Sequence, residues 1–156
     1  MTQLSSEKYN IAWFKLAEFV IRKEKERALY MYRLLVHSLP DEAFAAQLEG
    51  DLLHSFNDPK AFDCYVRAAI MYQKKGKHIE AIALYENLMI ISGSQEYSLK
   101  LLSIVLNTNP VDHEYIKQVI VKVLERGTPE KNKEFIESLQ ALDSQAYTFA
   151  QDYTKK

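Results

Sequence analysis

Helix starts fall near residues 7, 41, 77 and 111, an interval of about 34 to 36 residues that recurs along the whole chain. A segment of that length holds two helices of ordinary size and a turn. Neither helix can bury its apolar face alone, so neighbouring segments must stack to build a shared core. The interval predicts an all-α fold of three to four stacked helical hairpins within a single domain, 1–156. The hairpins are placed at about 7–39, 41–75 and 77–108, and a diverged pair at 111–154 closes the array.

The stretch from Asp58 to Ile91 carries the pattern most clearly. Tyr65, Ala68, Ala69 and Tyr72 recur at steps of three and four, as do Ala81, Leu84, Tyr85 and Leu88, so each helix has one face that must be covered. Alanine opposite tyrosine lets two helix axes approach closely while the ring fills the space. Asp58 and Pro59 supply a cap and a first turn, and Gly76 supplies the left-handed residue that ends the helix between them. Together Ala69-x-x-Tyr72, Gly76, Ala81 and Tyr85-x-x-Leu88 resemble the tetratricopeptide repeat.

The resemblance extends over about Ile11 to Pro110. Trp13, Leu16, Ala17 and Val20, followed by Ala28, Tyr32 and Pro40, match its first hairpin; Glu49-Gly50-x-x-Leu53, followed by Ala61 and Tyr65, matches again, one residue short. The connection between Arg22 and Arg27 lacks the family's turn glycine. One helix from Glu7 to Ser38 competes there with a break near Lys23, which the phase change of the apolar stripe favours. The resemblance implies a right-handed α-α superhelix whose concave groove binds another protein.

The first helix is expected over about Glu7 to Lys23 with Ser5 or Ser6 as cap, and the next from Asp41 to about Phe56. Gly50, inside that helix, costs about 1 kcal/mol relative to alanine and so implies a close helix contact. Further helices follow to Leu106. Then come one from Val111 closed by Gly127, and a single long last helix capped by Thr128, with Phe135, Leu139, Leu142, Ala146, Phe149 and Tyr153 in one apolar line.

Composition narrows the chemistry. With 20 Lys and Arg against 21 Asp and Glu, no net field draws the chain to nucleic acid or an anionic membrane. An RNA-reading helical repeat of similar period would need a basic excess that is absent. The charge run Arg22–Arg27 alternates in sign and is expected to face solvent. Cys64 is the only cysteine and sits in an apolar helix, as an inert buried thiol would. No signal-like start and no membrane-length apolar run are found, so the expected location is cytoplasmic.

No phosphate loop, His-Glu-x-x-His, Cys-x-x-Cys or Gly-x-Ser-x-Gly occurs, so neither catalysis nor a cofactor is expected. The alternative is a small helical enzyme built around Asp51 and His54, one helical turn apart, although no second such pair completes a metal site. If the first helix of each pair lines the groove, the side chains left over from the stack include Phe14 and Glu18, then Gln47, Asp51 and His54, then Glu86. An aromatic anchor among acids suits a basic peptide or amphipathic helix of a partner protein. A clamp for a C-terminal carboxylate is disfavoured, because acids stand where that clamp needs cations. Chaperone-like roles and a homo-oligomer filling its own groove are further candidates.

Overall fold

The computed structural model describes residues 6–156, and among them it contains nine α-helices and no strand. The chain is all-α and divides after Lys77 into two compact units. None of the described helices is long and apolar enough to cross a membrane.

The first unit holds α1 (Ser6–Ile21), α2 (Lys25–Val36), α3 (Glu42–Ser55) and α4 (Lys60–Lys74). α1 pairs with α2, α2 leans on α3, and α3 pairs most extensively with α4. Ala12 and Leu16 of α1, Ala28, Met31, Tyr32 and Leu35 of α2 and Leu52 of α3 form one buried cluster, with Trp13, Phe19 and Phe56 packed against it. Each large side chain buried there contributes about 1.5 to 3 kcal/mol. Of the two caps expected for α1, Ser5 lies outside the described residues and Ser6 is already helical.

Three helices of this unit end the same way. The residue after the cap turns left-handed, at Lys23 (φ 61°), Asn57 (φ 56°) and Gly76 (φ 72°). The following N–H reaches back to close the last turn: Glu24 to Phe19, Asp58 to Leu53 and Lys77 to Tyr72, at 2.9, 3.0 and 2.9 Å. These are Schellman endings, and they make the break at Lys23 without a glycine. The neighbouring charge run is less free than its alternating signs suggested. Lys25 forms an ion pair with Asp58 at 2.7 Å, and Lys23 donates to the Ser55 carbonyl at 3.4 Å, so the first connection is tied to the turn between α3 and α4.

α3 and α4 are starred with small residues where they meet: Ala43, Ala45, Ala46 and Gly50 on one, Ala61, Ala68 and Ala69 on the other, all buried. At Gly50 a Cβ would stand 2.8 Å from two ring carbons of Tyr65, which is itself 1% exposed. The absent side chain is therefore the space that the ring occupies. Asp41 caps α3 by accepting from the Ala43 N–H at 2.9 Å, and Asp58 Oδ1 accepts from the Lys60 N–H at the start of α4. Asp41 also binds Lys75 at 2.8 Å and Lys77 at 3.4 Å, closing the far end of the hairpin.

The second unit holds α5 (His78–Ser92), α6 (Gln95–Leu106), α7 (His113–Arg126), α8 (Pro129–Leu142) and α9 (Ser144–Thr154). α6 is its centre and packs on α5, α7 and α8; Leu101 and Leu102 are fully buried. Two expectations are corrected here. The long last helix is two helices: Asp143 adopts extended backbone and its carboxylate accepts from the Ala146 N–H at 2.9 Å, starting α9 afresh. An Asp-Ser pair competes with helical hydrogen bonding and serves better as a cap than as helix interior. The expected closing pair is also rearranged, because α7 packs on α6 and α9 while α9 folds back on α8.

Two predictions follow from the first unit. Gly50→Ala, which would stabilise an isolated helix, instead destabilises the protein by about 1 to 3 kcal/mol, because the methyl collides with a ring that has nowhere to go; urea unfolding measures it. The Asp41 carboxyl, ordinarily near 3.8, is held at about 2, first by the Lys75 hydrogen bond. A depressed carboxylate stabilises the fold above its unfolded pKa and loses that contribution as pH falls through its folded one. The melting-temperature gap between the wild type and Asp41→Asn should therefore be constant above pH 4 and close towards pH 2.

Candidate functional site

The six residues expected to line a groove separate into three kinds. Phe14 and Glu18 lie on α1 and are exposed; the Phe14 ring is 78% exposed. Ile21, one turn beyond Glu18, is 80% exposed, and Ile11, one turn before Phe14, is 49% exposed. Steps of three, four and three put Ile11, Phe14, Glu18 and Ile21 on one face of α1. The opposite face carries Ala12 and Leu16 into the core. α1 is thus apolar on two sides, and only one of them is covered within its unit. Glu18 interrupts the outer stripe with a charge that Arg22 meets at 2.6 Å, in a pair exposed on both partners.

Gln47 and Asp51 belong to the second kind and correct the expectation that they are left over from the stack. The Tyr72 hydroxyl donates to Gln47 Oε1 at 3.1 Å, and the Tyr65 hydroxyl donates to Asp51 Oδ1 at 2.7 Å. Both tyrosines come from α4, seven residues apart, and their acceptors stand one turn apart on α3. A tyrosine buried to its ring must still satisfy its hydroxyl, and the polar stripe of α3 supplies the acceptors. Glu86 is spent in the same way in the second unit, where it accepts a hydrogen bond from Tyr115. Burial first, and that carboxylate second, push the Tyr115 hydroxyl well above its usual range.

His54 is the third kind. It is exposed at the end of α3, and its ring meets the edge of Tyr65 at 6.5 Å between centroids. Asp51 and His54 therefore both gather on Tyr65. Among the described residues, no group of three or more His, Cys, Asp and Glu is placed to hold a metal ion. Cys64 is buried, and burial raises its thiol pKa, with Glu49 adding to the effect and Arg67 partly opposing it.

Sequence reasoning missed the tyrosine bonds because a polar residue next to an apolar stripe has the same pattern whether it meets water or a ring hydroxyl from another helix. A signal was present: Tyr65 and Tyr72 sit on a buried helix face and Tyr115 is half-buried, and a tyrosine drawn into the core implies a nearby acceptor. It also missed the reach of the outer stripe, since Ile11 and Ile21 were passed over in favour of Phe14 alone.

Asp51→Ala should lower stability by about 1 to 2 kcal/mol, and Asp51→Asn by less, because an acceptor remains. A double-mutant cycle with Tyr65→Phe should show coupling between the two sites, measured by denaturant unfolding. If Asp51 served only a partner, both substitutions would leave the midpoint unmoved. Set beside known proteins, the chain matches no family model, no curated protein and no solved structure.

Proposed function

We propose that this chain is a tetratricopeptide-like helical scaffold that holds another protein, with the outer face of α1 as its docking surface. The observation that carries the reading is the stripe of Ile11, Phe14 and Ile21, whose two largest exposures reach 78% and 80%. Single exposed apolar residues are ordinary, but three large ones on one helical face, with a packed core on the other, suit a partner's own apolar helix or peptide. The ring of Phe14 is the anchor. Glu18, between the anchors, favours a basic or amphipathic segment, whose cation would compete with Arg22 for the carboxylate. An exposed pair contributes little either way, so affinity comes from the apolar contacts. The repeated Ala-Tyr hairpins and the small-residue packing of α3 on α4 support the family resemblance. A cytoplasmic location and action without cofactor complete the proposal.

Phe14→Glu with Ile21→Glu tests it. Both side chains stand in solvent, so the variant should keep the wild-type circular dichroism and melting temperature. Affinity capture from cell extract should retain a defined protein on the wild type and lose it on the variant. Equal capture by both would overturn the assignment to α1. Sedimentation of the wild type alone separates a second copy of the chain from a different partner.

A further inference from the structure

A second surface lies in the α5–α9 unit and is independent of docking on α1. α5 and α7 end where α6 and α8 begin, and a cavity of about 100 Å³ opens between the four ends. Two features of its wall favour negative charge. α6 and α8, of 12 and 14 residues, start at it and bring backbone N–H donors, while the ends of α5 and α7 at the same wall cancel a net dipole, so it is the donors that favour an anion. The caps of α6 and α8, Ser94 and Thr128, each take up one of those N–H groups. Three cations, Lys122 and Arg126 one turn apart on α7 and Lys131 on α8, also line the cavity, and no Asp or Glu does. None of the three takes part in an ion pair among the described residues, where other lysines of this unit bind Glu96, Glu114 and Asp152.

The wall also contains a hydroxyl with no protein partner among the described residues. Ser98, on α6 one turn beyond the cap, is 1% exposed and lines the cavity. Its hydroxyl makes no hydrogen bond among the described residues, although no side-chain nitrogen or oxygen fully sealed from solvent lacks a partner. The Ser98 oxygen therefore opens onto the cavity. Buried polar groups are retained where something satisfies them, and here the satisfying group must come from within that space.

We infer that this cavity is a binding site for a phosphate group. The cavity, of about 100 Å³ and open to solvent, has room for one tetrahedral oxyanion. Helix N-termini present N–H donors to such an ion, Arg126 can offer a bidentate fork, and the Ser98 hydroxyl donates from the floor. The phosphate is either free or the terminal group of a small phosphomonoester whose remainder extends into solvent.

Calorimetric titration of inorganic phosphate into the full chain at low ionic strength tests this, with chloride at matched ionic strength as the reference. Saturable binding at one phosphate per chain is expected. Lys122→Gln with Arg126→Gln should weaken it by about tenfold or more, as the loss of charged hydrogen bonds requires. Those side chains are exposed, so the variant stays folded. Lys133→Gln removes a like charge from α8 outside the cavity and should change nothing. Ser98→Ala should weaken phosphate binding at unchanged stoichiometry. No saturable heat, or equal weakening by Lys133→Gln and the Lys122/Arg126 variant, overturns the site. Titration with phosphoserine against inorganic phosphate then separates a monoester from the free ion.

Discussion

The close approach of α3 and α4 governs the first unit. Gly50 leaves out a side chain so that the Tyr65 ring can lie against the α3 backbone, and the flanking alanines keep the two axes near enough for that contact. Once the ring is seated, its hydroxyl emerges at the edge of α3 and has to be met, which Asp51 does at 2.7 Å. One turn toward the N-terminus, Gln47 meets Tyr72. The hairpin is thus zipped by rings whose polar tips find acceptors in register, and a glycine that costs helix propensity is repaid in packing. Tyr32 repeats the device toward α2, donating to the Ala45 carbonyl at 2.8 Å, with burial raising its pKa to about 12.

Turn chemistry organises what the rings do not. A left-handed residue ends α1, α3 and α4, and two of the three are not glycine. Lysine and asparagine at positive φ carry a steric cost of about 1 to 2 kcal/mol that glycine avoids. The six-residue closing bonds and the ties from Lys23 and Lys25 to the Ser55–Asp58 turn offset it. The charge run between Arg22 and Arg27 therefore does structural work at both ends while still facing water in part.

The two proposals rest on surfaces of different chemistry. On α1, exposed apolar side chains with no partner in their unit carry the proposal of a protein partner. Around the cavity at the starts of α6 and α8, N–H donors, cations without an ion pair among the described residues and the Ser98 hydroxyl carry the proposal of an anion. The two need not act together, and each is defined within one unit.

The apolar periodicity, the caps at Asp41, Asp58, Ser94 and Thr128, and the helix-ending glycines were local signals, so the number and place of most helices could be taken from the sequence. Gly50 was informative for the same reason: a propensity cost inside a helix has few explanations other than close contact. The structure alone decided what a polar residue beside a stripe was facing. Gln47, Asp51 and Glu86 looked free of the stack because periodicity records which face a side chain is on, and not which side chain from another helix arrives there. It also decided that Asp143 begins a helix instead of riding inside one, since α9 gains burial of Ala146 and Ala150 by folding back on its neighbours. Local hydrogen bonding and periodicity act over a few residues and are written in the chain; the pairing of tyrosine with acceptor, and of cation with cavity, exists only once helices from different segments have packed.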